Sequence, residues 1–241
     1  SAKEYSKDEW MQSYNDAHYD SVVIKVNSWL PNVMQDKQGF ALYILGDSYY
    51  RLALKADNHS RAFEYFQNAV ANYEQCVTRA DLLASGFKND ANYRNGWAHF
   101  RLAELNPSNA AIELQKAFQS FSRINEKAQE SIFQAGIYMA GESALWQAIL
   151  RRYSVFTGEQ IRSDVNELFV LLNEAETKYS QLLQTANLSE RLEVSTHIRL
   201  KDLNYYRGKI YQGVDSALFQ DRKEKAMESF SSARYATIAK E

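Results

Sequence analysis

Apolar residues recur at helical spacing along almost the whole chain, and very little interrupts them. Leu42, Leu45, Tyr49, Leu52 and Ala56 follow steps of three and four residues, as do Ala62, Phe66, Ala69, Val70 and Tyr73, and again Leu168, Leu171, Leu172, Ala175, Tyr179 and Leu182. Strong helix formers fill the gaps. With only 2 Pro and 9 Gly in 241 residues, the chain lacks the turn residues that a β-sandwich or barrel of this size needs. Helix is therefore expected over more than two-thirds of the residues, with no sheet. Hydrophobic residues make up 45% and charged residues 24%, enough to bury a core and too apolar for a disordered chain.

The interruptions that exist are short. Pro31-Asn32, Asp57-Asn58-His59-Ser60, Ser85-Gly86, Lys88-Asn89-Asp90, Asn106-Pro107-Ser108-Asn109, Thr157-Gly158 and Asn187-Leu188-Ser189 carry turn and N-cap residues. They delimit ten helices, at about 6–17, 19–30, 37–56, 60–80, 90–105, 109–124, 127–153, 160–185, 189–213 and 221–239. Ten helices on short loops pair into five antiparallel hairpins.

An internal repeat sets the register. Gly46-Asp47-Ser48-Tyr49-Tyr50-Arg51-Leu52-Ala53 aligns without a gap on Gly96-Trp97-Ala98-His99-Phe100-Arg101-Leu102-Ala103. Each is followed by a second helix with a spaced triplet: Ala62, Phe66 and Ala69 in the first case, Ala110, Leu114 and Ala117 in the second. The pattern returns as Gly208 and Tyr211, then Ala226, Phe230 and Ala233, and a weaker copy begins at Gly141. A glycine on one helix lets its partner approach closely. Small residues on the partner face it, and a larger one such as Phe66 is expected to fill the hole between them.

This arrangement resembles the tetratricopeptide repeat family, whose pattern has Leu-Gly, a Tyr three residues on, and Ala, Phe and Ala in the second helix. Leu45-Gly46, Tyr49, Ala62, Phe66 and Ala69 fit it, as do Gly208, Tyr211, Ala226, Phe230 and Ala233. The middle copy has His99 where Tyr is expected, and Tyr14, Ala17, Tyr19, Val23, Trp29 and Pro31 look like a degenerate first copy. The family unit is about 34 residues, whereas successive repeat glycines here lie 50, 45 and 67 residues apart, so the helices are longer and the repeat irregular. The Asn106-Pro107 loop also fits a register in which Pro107 closes a repeat; the Arg-Leu-Ala duplication sets the register used here. The resemblance implies a single all-α domain spanning 1–241, a right-handed superhelical solenoid of about five antiparallel hairpins.

Familiar chemistry is hard to place on this chain. His18, His59, His99 and His197 are too far apart for a helical ligand pair, and neither HExxH nor CxxC occurs. Gly208-Lys209 lacks the rest of a phosphate-binding loop, and Gly141-Glu142-Ser143 is not a nucleophile elbow. The lone Cys76 reads as a small buried thiol and excludes an intramolecular disulfide. No metal or cofactor is called for, and no catalytic role. Lys plus Arg is 28 against 30 Asp plus Glu, a net charge of −2, without the basic excess of a nucleic-acid binder. The longest apolar run, 39–46, is far too short to span a membrane, and no signal peptide is evident. The chain opens Ser1-Ala2 without Met, which reads as a processed form and leaves room for a signal or lipid anchor upstream.

The most informative constellation is aromatic. A tyrosine lies three residues before each repeat glycine: Tyr43, Tyr93, Tyr138 and Tyr205. In the tetratricopeptide family this position faces the concave groove. The next inward positions are Asp47, Tyr50 and Arg51, then Trp97, Phe100 and Arg101, then Glu142, Leu145 and Trp146. Stacked repeats would align these into an aromatic stripe with arginines beside it, suited to an extended peptide of a partner protein. The alternative is that long helices close the groove and the rings pack as core. A basic clamp of the kind one family subtype uses for C-terminal carboxylates needs Lys or Asn at the tyrosine position, and all four copies have Tyr. The expected function is a non-catalytic protein-interaction scaffold. The rivals are an apolar-ligand binder with a solenoid pore, an enzyme, and the interaction domain of a larger envelope-assembly protein. The Tyr- and Asn-rich repeats are similar to those of bacterial cell-envelope tetratricopeptide proteins, often lipoproteins, which implies a periplasmic or outer-membrane location. Nothing in the sequence bars a homo-oligomer.

Overall fold

The computed structural model describes residues 5–157, 162–214 and 219–238. It is 84% helix, and the described residues contain no strand. The helices are α1 (Lys7–Asn15), α2 (Tyr19–Trp29), α3 (Gly39–Lys55), α4 (His59–Cys76), α5 (Ala80–Ser85), α6 (Lys88–Leu105), α7 (Ala110–Ser122), α8 (Glu130–Thr157), α9 (Arg162–Leu183), α10 (Glu190–Gly213) and α11 (Arg222–Ile238). They pack in adjacent pairs. The chain divides into two compact units, 1–132 and 133–241, where the sequence suggested one domain. None of the described helices is long and apolar enough to cross a membrane.

Asn58 and Ser189 act where they were expected to, whereas Lys88-Asn89-Asp90, expected as a break, forms the first turn of α6. The Ser6 side chain accepts the Glu9 amide and Glu9 returns a bond to Ser6, a full capping box at α1. Asn58 caps α4 through the Arg61 amide at 2.9 Å, and Ser189 caps α10 through the Leu192 amide at 3.3 Å. The expected stop at Gly158 and the helix starting at residue 160 fall partly outside the described residues.

One helix was not anticipated. The expected helix 60–80 ends early, at Cys76, and α5 follows as a separate short element. Its Asp81 carboxylate accepts the backbone N–H of Gly39 at 2.8 Å and of Phe40 at 3.1 Å. It thereby satisfies the first amides of α3, which Gln38 leaves uncapped. Gly86 then ends α5 in the left-handed region at φ 82°.

In the first unit α1 to α4, α6 and α7 stack as successive neighbours. The core runs through Trp10, Val22, Val26, Leu42, Leu45, Phe66, Ala69, Tyr73, Cys76 and Leu82. Cys76 is fully buried and burial pushes its thiol up to about 12, so it is packing material, as read. In the second unit α8 packs on α9, and α10 packs on both α9 and α11. Leu145, Leu168, Leu172, Tyr179, Leu182, Leu203 and Ile210 are the buried side chains there.

The repeat glycines do set the helix crossings: Gly208 meets Phe230 as expected, whereas Gly46 and Gly96 meet a ring one heptad later than expected. A Cβ on Gly46 would lie 2.9 Å from the Tyr73 ring, on Gly96 2.7 Å from Phe121, on Gly141 2.6 Å from Tyr179 and on Gly208 2.6 Å from Phe230. Each ring sits four residues after an alanine: Ala69, Ala117, Ala175 and Ala226. The equivalent of Phe230 is therefore Tyr73, two turns beyond Phe66. Phe66 is buried elsewhere, edge-on to Tyr50 at 5.3 Å. The triplet facing Gly46 thus lies one heptad later than Ala62-Phe66-Ala69, and the sequence pattern is ambiguous because both heptads of α4 present an aromatic on the same face.

Candidate functional site

Two residues assigned to the groove are buried charges. Asp47 is 0% exposed and ion-paired on both oxygens. Arg51 Nε reaches Oδ2 and Arg94 Nη1 reaches Oδ1, each at 2.6 Å. The Tyr14 hydroxyl donates to Oδ2 at 2.6 Å, and Arg94 Nε donates to the Tyr43 hydroxyl at 3.3 Å. Tyr43 itself is 5% exposed, packed among Phe40, Tyr73 and Phe87. Burial raises the Tyr43 and Tyr14 hydroxyl pKa values, for Tyr14 with Asp47 adding to the effect. Tyr43 and Asp47 are thus corrected from binding residues to internal ones. A carboxylate removed from water must be paired, and Arg94, one hairpin on, supplies the pair.

The second unit repeats the device. Glu142 also follows a repeat glycine and is buried. It accepts Arg199 Nε at 2.6 Å and Nη2 at 2.9 Å, and the Tyr179 hydroxyl at 2.6 Å. Arg199 comes from α10, so in both units the carboxylate lies on the first helix of one hairpin and its arginine on the first helix of the next. The bidentate geometry is the strong form of this contact. Arg94, Arg199, Tyr14 and Tyr179 were all missed from sequence. The signal that would have found the clusters is an acidic residue with apolar neighbours on both sides of the helix, as in Leu45-Gly46-Asp47 and Ala140-Gly141-Glu142.

Around the first cluster the structure brings four of the expected residues together. Tyr50, Tyr93, Trp97 and Arg101, joined by Arg94, line a surface pocket of about 220 Å³. Trp97 stands edge-on to Tyr93 at 6.5 Å and to Phe100 at 5.9 Å. The Arg101 guanidinium lies 5.5 Å from the centre of the Trp97 ring and pairs with Glu104 at 2.7 Å. The Tyr50 hydroxyl is raised by burial against the opposing pull of Arg101. Phe100 is turned toward Ala103, Ala110 and Leu114. Arg51 is outside the pocket lining and lies over the Tyr19 ring at 5.4 Å. In the second unit Tyr138 is half-buried against Tyr179 at 5.8 Å. Leu145 is core, whereas Trp146 and Tyr205 are 41% and 49% exposed.

His99, which departs from the repeat pattern, is 1% exposed between two carboxylates. Nδ1 lies 2.7 Å from Glu113 on α7, and Nε2 lies 3.4 Å from Glu74 on α4. The bond from His99, more than any other cause, holds the Glu113 carboxyl below its ordinary 4.5. A depressed carboxyl pKa stabilises the fold above the unfolded-state value, and the contribution is lost as pH falls through the folded value. The stability gap between the native protein and Glu113→Gln should therefore close as pH falls below about 4.5. Urea unfolding at a series of pH values checks this; a gap that widens in acid would contradict it.

No cluster of His, Cys, Asp and Glu among the described residues could hold a metal ion. No protein-family model matches the chain, and neither do the curated proteins or the solved structures searched.

Proposed function

We propose that the protein is a non-catalytic helical-repeat scaffold of the tetratricopeptide type, its hairpins stacking with the family's right-handed sense within each unit. On this reading it holds an extended segment of a partner protein at the pocket of Tyr50, Tyr93, Arg94, Trp97 and Arg101. The observation that supports this is the pocket itself: three partly exposed rings and two guanidiniums share one concave surface. Trp, Tyr and Arg are the residues that most often dominate binding energy. They are held by a core that does not need them to be exposed. Tyr93 and Trp97 rest on the buried Phe121 at 6.0 and 6.2 Å, and Arg94 is anchored by Asp47. Rings preset in this way lose little freedom on binding.

The apolar-ligand reading asks for a closed apolar pore, whereas this pocket is open to the surface and lined by arginines. The test is a Trp97→Ala, Tyr93→Ala double variant assayed against peptides selected on the native protein. Binding should weaken by about a hundredfold or more, two hot-spot side chains being lost, with helicity by circular dichroism unchanged. Undiminished binding by a folded variant would place the partner elsewhere.

A further inference from the structure

The charge balance around the pocket points to the kind of segment that enters it, an inference that rests on the binding reading above. Asp47 is one carboxylate shared by two guanidiniums, Arg51 and Arg94, in a chain whose net charge is −2; Asp90 is a further acidic group near the Tyr43 hydroxyl that Arg94 meets. Arg94 uses Nε for Tyr43 and Nη1 for Asp47. Its Nη2 has no acceptor among the described residues, although a guanidinium has five N–H groups to place. The one ion pair of Arg101 among the described residues is with Glu104, an i,i+3 contact between side chains 40% and 48% exposed; its other neighbours, the Tyr50 hydroxyl and the Trp97 ring, are uncharged. Such a surface pair is worth little and gives way to a better acceptor. Both arginines line the same pocket of about 220 Å³, so an acceptor entering it meets both. Between them stand the rings of Tyr50, Tyr93 and Trp97.

We propose that this pocket takes the side-chain carboxylate of an Asp or Glu in a partner peptide, held by Arg94 and Arg101, with an adjoining aromatic or large apolar residue lying on Tyr93 and Trp97. Arginine recognises a planar carboxylate with parallel N–H bonds. The chain's net negative charge makes a local cationic pocket selective, since acidic segments are repelled from the surface at large.

The experiment is an unbiased peptide selection on the full chain, using a library with both peptide ends blocked so that no free C-terminal carboxylate competes. The best peptide is then synthesised with acetylated and amidated ends. Selected sequences should place Asp or Glu beside an aromatic or large apolar residue. Changing that Glu to Gln should weaken binding by about tenfold or more, the size of a lost charge-assisted bond. Arg101→Gln should weaken the acidic peptide similarly and the Gln peptide hardly at all, a coupling expected only of groups in contact. Raising salt should weaken the acidic peptide alone. Peptides without acidic residues, or a Glu-to-Gln change with no effect while Trp97→Ala abolishes binding, would overturn the carboxylate assignment and leave the pocket reading intact. Peptides indifferent to both Trp97→Ala and Arg101→Gln would overturn both. A phosphopeptide analogue binding more tightly than the Glu peptide would reassign the pocket to dianions and likewise overturn it.

Discussion

Asp47→Ala is expected to destabilise the protein by about 3–5 kcal/mol, because it leaves Arg94 and Tyr14 facing a desolvated site with no counter-charge. The side chain is fully buried and joins three elements, α1, α3 and α6, through one carboxylate. The size of the loss reflects the partners left behind more than the intrinsic worth of the pair. Asp47→Leu combined with Arg94→Met should accordingly recover part of it, since a buried pair replaced by apolar groups of similar volume is often neutral, while the Tyr14 hydroxyl still lacks its acceptor. Urea unfolding of the single and double variants checks both statements. A single variant that loses less than about 1 kcal/mol would mean that the site is wetter than its burial indicates. Glu142→Ala should behave in the same way in the second unit, where Arg199 and Tyr179 would lose their acceptor.

The second large effect concerns the glycine and ring contacts. Phe121 is 1% exposed, and its ring lies where a Cβ on Gly96 would stand. Phe121→Ala should cost about 3–5 kcal/mol through the cavity it leaves, and Gly96→Leu about 1–3 kcal/mol or more through overpacking. The two should not add: in the Phe121→Ala background the leucine enters the vacated space, so the double variant should be more stable than the sum of the singles implies. Tyr73→Phe supplies the control. It keeps the ring against Gly46 and removes a buried hydroxyl that has no hydrogen-bond partner, so stability should hold or rise slightly. Strict additivity of Gly96→Leu and Phe121→Ala would show that the ring does not define the helix crossing.

Much of the fold is legible in the sequence because helical period and turn residues are local signals. Asn58 and Ser189 cap the helices they were expected to cap, and the repeat glycines mark the close crossings. What was misread depended on contacts between distant residues. Helix α5 exists to bring Asp81 to the start of α3, 42 residues earlier, and no window of local sequence contains both. Phe66 and Tyr73 are chemically similar and one heptad apart, so only the packing tells which faces Gly46. The candidate site divides on the same line. Register brings Tyr50, Tyr93, Trp97 and Arg101 to one pocket, whereas Tyr43 and Asp47 share that register and are buried, Tyr43 among Phe40, Tyr73 and Phe87 and Asp47 paired with Arg94 from the next hairpin. His99 departs from the repeat's tyrosine because it stands between Glu74 and Glu113, which come from different helices.

The chain carries four tryptophans, Trp10, Trp29, Trp97 and Trp146, and their indole N–H resonances report on separate places in the fold. Trp10 and Trp29 lie against each other at the start of the first unit, Trp97 lines the pocket, and Trp146 is exposed on α8 of the second. Titrating a selected peptide into the labelled protein and following these four signals locates the partner directly. The Trp97 resonance should move in step with binding while the Trp10, Trp29 and Trp146 resonances stay in place. Movement of Trp146 with Trp97 unchanged would put the partner on the exposed face of the second unit and contradict the assignment of the pocket.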